Sequence, residues 1–470
     1  MSTLKLYIKA ASVSVLSKFF ISFGALAVVW QLNVLAGKDG FGLIMLAFAL
    51  NYLLAMTAAS YFQSLILYHV ARDADNAHDN ERRLGFYFSW LLVLAPLMSV
   101  VELALTPHIA TAMGKPEAAQ WFAAMAWIIP AFACNALLSN FYKAQQKIGD
   151  FVVFFEVMPM AIRLIGFMIM IVLGLPADLA AAVFIASYAL PFIVLWARRP
   201  IMPNLDFSYA SAWDFSYGTK TMLAQFANKS INNLVVFILG FFVSAGAIAD
   251  LSVAVRFSQF LQMPKLALVQ LHKPRIGQWF AKGDREALLV EYRGVQVISL
   301  AGTLVGCIAF LFLAELALSL FGDYESALPL LFMLAAASVV RAAFGAAGEY
   351  IGMAGRANQA LGVNILILGS VAGVIVALVP AVGIVGAAAA LVIGALIGMV
   401  VSAGFIWRDD RFSCVNWGLL GSAGIASYGL ATFSLELMGL PACLLCLVAG
   451  LAMLAPQARP LFSSYTKGYK

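Results

Sequence analysis

Residues 10–36, AASVSVLSKFFISFGALAVVWQLNVLA, contain a single charged side chain, Lys18. Gly37–Lys38–Asp39–Gly40 separates them from residues 41–69, FGLIMLAFALNYLLAMTAASYFQSLILYH, which hold no Asp, Glu, Lys or Arg. A helix rises about 1.5 Å per residue, and roughly 20 apolar residues cross the hydrocarbon core of a bilayer. Each run is therefore long enough for one crossing, and the Gly-flanked tetrapeptide reads as the tight turn between them. The first run is not a cleaved signal peptide. It is too long for one, carries Lys18 in its middle, and lacks a small-residue cleavage site.

The pattern continues along the chain. Apolar stretches fall at 84–106, 119–141, 151–175 and 178–197, and a polar linker follows at 198–219. Further stretches fall at 220–244, 249–271, 295–320, 327–350, 357–380, 382–407, 416–436 and 440–456. The expected fold is an all-α integral membrane protein with 14 transmembrane helices. Spans 1–6 form an N-lobe (1–197), the linker 198–219 is cytoplasmic, and spans 7–12 form a C-lobe (220–407). Spans 13 and 14, with a cytoplasmic C-terminus, occupy 408–470. Composition agrees: 63% of the 470 residues are hydrophobic and 11% are charged, with a mean hydropathy of +0.93. A soluble protein carries about 25% charged residues, so a soluble enzyme, a secreted domain, a disordered scaffold and a DNA-binding protein are excluded.

Charge distribution sets the expected orientation. With the N-terminus in the cytoplasm, 21 of the 29 Lys and Arg residues fall in cytoplasmic segments, against Lys38 and Lys115 outside. The net charge of +6 is thus topological in origin, and no nucleic-acid partner is implied. Both termini are expected in the cytoplasm. The five cysteines make no disulfide framework. Cys443 and Cys446 have CxxC spacing, but no His or acidic residue lies nearby to complete a metal site. The four histidines are scattered. No metal, no cofactor and no catalytic residue are expected.

Six cations remain within spans: Lys18, Arg163, Lys229, Arg256, Lys265 and Arg341. A charge at the bilayer centre costs roughly 3 kcal/mol on insertion scales, so it marks a pathway or a partner. Lys9 precedes Lys18 by the same spacing that Lys220 precedes Lys229, which suggests related halves around a midplane site. Ser14, Lys18 and Ser22 share one helix face, as do Gln225, Asn228, Lys229, Asn232 and Asn233. Such faces belong to a water-filled cavity. Arg256 and Gln259 add to it from span 8, where Pro264 is expected to kink the helix. Asn51 is a further candidate from span 2. Arg163 with Glu156, and Arg341 with Glu349, are read either as structural pairs or as cavity residues. Lys265 is expected to snorkel to the cytoplasmic face. Aromatics in the linker repeat, Asp206–Phe207–Ser208–Tyr209 and Asp214–Phe215–Ser216–Tyr217, are expected to rest on headgroups rather than to touch a substrate. With no carboxylate expected at mid-depth in spans 1, 2, 7 or 8, the cavity reads as cationic and its ligand as an anion such as diphosphate.

Leu320–Phe321–Gly322–Asp323–Tyr324 with Ala327, then Gly355–Arg356, Pro380, Gly383 and Gly386–Ala387–Ala388–Ala389, resemble the C-terminal lobe of the MATE/MOP superfamily in its polysaccharide-transporter branch. The resemblance extends over the whole six-plus-six-plus-two layout. It implies a Wzx-type lipid-linked oligosaccharide flippase, similar to O-antigen flippases and more distantly to lipid II flippases. Such a protein moves undecaprenyl-diphosphate-linked oligosaccharide across a bacterial inner membrane, for O-antigen (lipopolysaccharide) or exopolysaccharide synthesis. It works by alternating access and is not an enzyme. A polysaccharide polymerase and a chain-length regulator are the implied partners, and the chain is expected to be a monomer in the lipid bilayer. The lipid II branch carries cavity cations on spans 1, 2 and 8. Here Lys18 and Arg256 fit spans 1 and 8, whereas span 2 offers only Asn51 and Gln63 and span 7 supplies Lys229. A MATE-type drug/cation antiporter of the same fold is the alternative, disfavoured by the missing central carboxylates. A non-transporting scaffold is disfavoured by the polar stripes.

Overall fold

The computed structural model describes residues 3–73, 76–209, 211–269, 285–354, 356–410 and 416–457, with His272 and Gly283. Side chains are described for these except at 3–16, Asn228, Gly352, Met353, Ala357, Asp409 and Asp410. All regular structure among the described residues is helical. Nine of these helices are long and apolar enough to cross a membrane by length and composition. Wherever they are described, the fourteen apolar stretches lie mainly on helix. The chain divides into two compact units, Met1–Ala249 and Asp250–Lys470.

In the first unit, α1 (Thr3–Arg72) is two helices joined at Gly37, whose φ of 68° and ψ of 177° are not helical. A side chain at that φ would be strained, so glycine makes the break. Past the break, residues 41–50 are all buried. That helix is apolar on every side, as one enclosed by protein should be. Packed on α1 are α2 (Ala77–Ala112), α3 (Ala118–Met125), α4 (Ile128–Ala144), α6 (Met158–Val172), α8 (Ala212–Lys229) and α9 (Ile231–Leu239). Between α4 and α6 lie a short α5 (Ile148–Phe151) and a π-helical turn, Val152–Val157. Pro159 explains that turn. Its nitrogen carries no hydrogen, and its ring crowds the carbonyl one turn back, so the backbone widens before it. α7 (Ala180–Arg198) completes the set, packing on α4 and α6.

The stretch expected to be a polar linker is only partly one. Helix α8 starts at Ala212, where the Ser211 side chain accepts from the Asp214 backbone N–H as an N-cap. Before it, the chain docks on the start of α2. The Asn204 backbone N–H donates to Ser89 Oγ at 2.9 Å, and a Cβ on Gly85 would meet the Met202 carbonyl at 2.3 Å. Arg82 pairs with Asp206, and Tyr209 donates to Asp79 at 2.8 Å beneath the Arg83 guanidinium. The two repeat motifs therefore differ: Tyr209 is buried against α2, whereas Tyr217 is within α8 and stacks on Trp213. The Ser208 hydroxyl and backbone N–H, followed by Arg82, hold the Asp206 carboxyl below the usual carboxylate range. Burial raises the Tyr209 phenol, helped by its bond to Asp79. In the loop between α2 and α3, Lys115 is buried and donates to the Gly240 carbonyl at 2.6 Å. Burial pushes that ammonium below the usual lysine range.

Helix α10 (Ala245–Leu261) leads into the second unit. A turn at Gln262 ends it, and helix resumes over residues 263–269. Pro264 accounts for the expected kink: it packs against Gly302, where a Cβ would lie 2.8 Å away. The Thr303 hydroxyl donates to the Leu261 carbonyl at this turn, at 3.0 Å. The remaining helices are α11 (Arg285–Ser319), α12 (Ala327–Ala343), α13 (Ala347–Met353), α14 (Ala357–Val382), α15 (Ile384–Asp410), α16 (Trp417–Ser434) and α17 (Leu440–Ala452). Among them α14 pairs with α15, α12 with α16, and α16 with α17. The α14–α15 turn is made at Gly383, with φ of 65°.

Candidate functional site

Lys18 lies on the first half of α1 with its side chain 44% exposed. Its Nζ meets Glu156 Oε1 at 2.5 Å, and the neighbouring Ser17 hydroxyl donates to Glu156 Oε2 at 3.0 Å. Both carboxylate oxygens are thus committed to α1. Glu156 sits in the π-helical turn ahead of Pro159, whose widened backbone sets the side-chain directions around it. No carboxylate is expected at mid-depth on spans 1, 2, 7 or 8, and Glu156 is on none of them. Span 5 supplies one, which offsets the charge of Lys18.

Lys229 ends α8, and the helix is interrupted at Ser230 before α9 begins at Ile231. The expected continuous polar stripe is therefore split between two helices. The Lys229 ammonium is exposed and donates to Gln225 Oε1 at 2.8 Å. Gln225 Nε2 in turn donates to Ser64 Oγ on α1 at 2.6 Å, and Ser64 donates to the Ser60 carbonyl at 2.9 Å. This relay orients the amide so that its oxygen faces the lysine. Lys229 has no carboxylate partner among the described residues, and Lys18 and Lys143 both act on it electrostatically. Lys143, in the last turn of α4, reaches over the Phe151 ring at 4.7 Å. In the sequence Lys143 reads only as one of the cytoplasmic charges, because nothing in the linear pattern ties span 4 to span 7.

The other expected site residues separate into groups. Ser22 is half-buried on α1; on α9, Asn232 is exposed and Asn233 half-buried. The side chains of Ser14 and Asn228 lie outside the described residues. Asn51 does not line an open cavity. It is fully buried, with Nδ2 donating to the Ala47 carbonyl at 3.0 Å. Arg163 is not paired with Glu156. It donates to Ser187 at 3.1 Å and lies among the rings of Phe48, Phe184 and Tyr188, the last at 4.8 Å. Such a cation–π box holds a guanidinium without a carboxylate. In the second unit, Arg256 and Gln259 are half-buried on α10. Arg341 reaches Gln262 at 3.4 Å. Lys265, expected to snorkel, is buried within the protein. Of the loop at 272–294, residues 273–282 lie outside the described residues.

Two further features escaped the sequence. His69 Nε2 and Asp214 Oδ1 meet at 2.6 Å, both side chains buried, and tie the end of α1 to the first turn of α8. An apolar cavity of about 570 Å³ lies beside this pair, walled by Tyr61, Phe86, Tyr87, Trp90, Phe215 and Met222 among others. Its mostly apolar lining suits hydrocarbon better than a phosphate, which the Asp214 carboxylate on its wall would repel. Lys229, on which Lys143 and Lys18 act, has the chemistry to attract an anion, with the Gln225 amide and the Ser64 hydroxyl alongside for hydrogen bonding. Among the described residues no group of His, Cys, Asp and Glu is placed to hold a metal ion.

A family model described as "Polysaccharide biosynthesis protein" matches residues 34–268. No curated protein matches the sequence. Several solved structures share the fold. A lipid II flippase, MurJ, in an inward closed conformation superposes with a TM-score of 0.70 at 12% identity, over 95% of this chain and 99% of that one. A multidrug resistance MATE family transporter of the MOP superfamily, inward-facing, gives 0.63 at 16% identity, over 83% and 94%. A MOP superfamily transporter from Pyrococcus furiosus, described as having a binding pocket of reversed polarity, gives 0.57 at 17%, over 86% and 95%. The chain thus has the multi-pass fold of the MATE transporters and of MurJ, as the motifs of residues 320–389 had implied.

Proposed function

Because the chain belongs to the polysaccharide biosynthesis protein family, we propose that it is a flippase for a lipid-linked oligosaccharide, carrying undecaprenyl-diphosphate-linked repeat units from the cytoplasmic to the periplasmic leaflet of a bacterial inner membrane. The observation that carries this reading is Lys229 of the first unit, whose ammonium is exposed and bonded to an amide. In this proposal the diphosphate is taken by Lys229 and Lys18, with Lys143 at the approach. Gln225, Asn232, Asn233 and Ser22 offer donors and acceptors to sugar hydroxyls. The prenyl chain stays in lipid. Hydrated walls and the arriving phosphates favour the charged lysines, because opposite charge offsets desolvation. Translocation proceeds by alternating access, and no covalent bond is made or broken. The product feeds O-antigen or exopolysaccharide assembly, with a polymerase and a chain-length regulator downstream.

The test is surface polysaccharide in cells carrying single substitutions. Lys229→Gln removes the charge and keeps much of the shape, and export should collapse while the protein remains in the membrane. Lys229→Arg keeps the charge and should retain partial export. Normal export by Lys229→Gln would overturn the role in diphosphate binding. Loss in the Arg variant alone would point to packing instead.

A further inference from the structure

Glu102 lies on α2 and is 2% exposed. Neither of its carboxyl oxygens meets a hydrogen-bond donor. Beside it is the Asn51 carboxamide of α1, itself fully buried. Asn51 Nδ2 is bonded to the Ala47 carbonyl. The second hydrogen of Asn51 Nδ2 is the one donor that acts on the carboxyl, without reaching hydrogen-bond geometry, and no donor reaches Asn51 Oδ1. That arrangement is costly twice over: a buried carboxylate without a donor loses its hydration uncompensated, and so does the amide oxygen.

One proton removes both costs. A carboxylic acid at Glu102 carries a hydrogen that its O–H can donate to Asn51 Oδ1, and it bears no charge. Cations are the alternative means of satisfying a buried carboxylate, and none acts here. The elements packed on α2 are α1, α3, α4 and the turn at 207–209. Of the described side chains on these, only Asn51 acts on Glu102, and no Lys, Arg, His, Asp or Glu does. Around it the helix has already spent its other polar groups. Ser99 Oγ donates to the Ala126 carbonyl at 2.8 Å, and Thr106 Oγ1 to the Glu102 backbone carbonyl at 2.9 Å. The proposed diphosphate site uses neither Glu102 nor Asn51.

We propose that Glu102 and Asn51 form a proton-binding site within the first unit, holding one exchangeable proton in the conformation seen here. The proton is released when α1 and α2 separate enough for water to reach the carboxyl, because a hydrated carboxylate no longer needs it. The carboxyl then carries a negative charge that cannot return to this packing until it is reprotonated. Burial of Glu102 and uptake of a proton are therefore one event, and a pH difference across the membrane biases which conformation forms. This holds whatever the protein carries.

The test reads the carboxyl directly in the full-length protein reconstituted in vesicles. Infrared difference spectra at neutral pH should contain the carbonyl stretch of a buried carboxylic acid in the wild type, and Glu102→Gln should lack it. In a weakly buffered pH jump to alkaline conditions, followed with a pH-indicator dye, the wild type should release about one proton per chain more than Glu102→Gln. A spectrum unchanged by the substitution would overturn the site. So would a band that persists through the jump with equal proton release, since the proton would then be permanent. If Glu102→Gln does not insert, Glu102→Asp serves: its carbonyl band should shift relative to the wild type, and an unshifted band would overturn the assignment. None of these readouts requires polysaccharide export, so a failure here and a failure of the flippase reading are separate results.

Discussion

Lys18 and Lys229 follow Lys9 and Lys220 at the same sequence spacing, yet their surroundings differ. Lys18 is bonded to a carboxylate at 2.5 Å. Lys229 is bonded to an amide oxygen at 2.8 Å, and its helix ends on it. A carboxylate partner offsets an ammonium's charge toward any incoming anion, whereas an amide partner orients the ammonium and leaves its charge intact. The comparison teaches that repeated sequence spacing conserves position along a helix but not electrostatic role. In the proposed function Lys229 would therefore be the stronger anchor for an anion, the charge of Lys18 being offset by Glu156.

The largest effect should come from separating the two lysines by mutation. Lys229→Gln is expected to lower surface polysaccharide at least about tenfold, equivalent to ~1.4 kcal/mol. Lys18→Gln should lower it by a smaller factor, because Glu156 already offsets that charge. Equal losses, measured at matched protein levels in the membrane, would break the distinction.

Removing the counter-charge sharpens the same point. Glu156→Gln can still accept from Ser17 but loses the ion pair. The thermal stability of the purified protein should fall by about 1 kcal/mol or less, since the lysine is substantially exposed. Adding Lys18→Gln to Glu156→Gln should cost little more, a non-additivity that a double-mutant cycle detects. Full additivity would mean that the pair contributes nothing.

A smaller effect is expected on the Lys229 side. Ser64→Ala leaves Gln225 Nε2 without its acceptor and frees the amide to rotate, at a cost of about 1 kcal/mol or less. Export should weaken modestly because the ammonium loses its orienting oxygen. An unchanged export rate together with unchanged stability would show that the relay from Ser64 does not position Lys229.

The smallest effect lies in the docked linker, away from both lysines. Asp206 has a carboxyl pKa depressed chiefly by Ser208. A depressed folded-state value means that its contribution is present above the unfolded carboxylate value of about 3.9. It is lost as pH falls through the lower folded value. Hydrogen exchange at Ser208 should accelerate over that acidic range and, in Asp206→Asn, become largely independent of pH beyond the intrinsic exchange rate. A matching acid response in both proteins would remove the carboxylate from the account.

What the sequence by itself determined was the helical, membrane-spanning class. Stretches such as 41–69 can satisfy their backbone groups in lipid only as helices, and length alone sets one crossing. The turns at Gly37 and Gly383, the kink near Pro264 and the kinship carried by residues 320–389 were equally local, because φ preferences and missing N–H groups act within a few residues. The partners were decided by the tertiary structure alone. Glu156 and Arg163 looked like a pair along span 5, but a π-turn before Pro159 sends the carboxylate to Lys18, while aromatic rings from three positions enclose the arginine. Asn51 looked like a cavity residue and is instead fully buried beside Glu102. The polar stripe of span 7 assumed an unbroken helix that Ser230 interrupts. Periodicity places a side chain on a face, but what meets that face depends on helices far away in the chain, and a charge's role follows from what it meets.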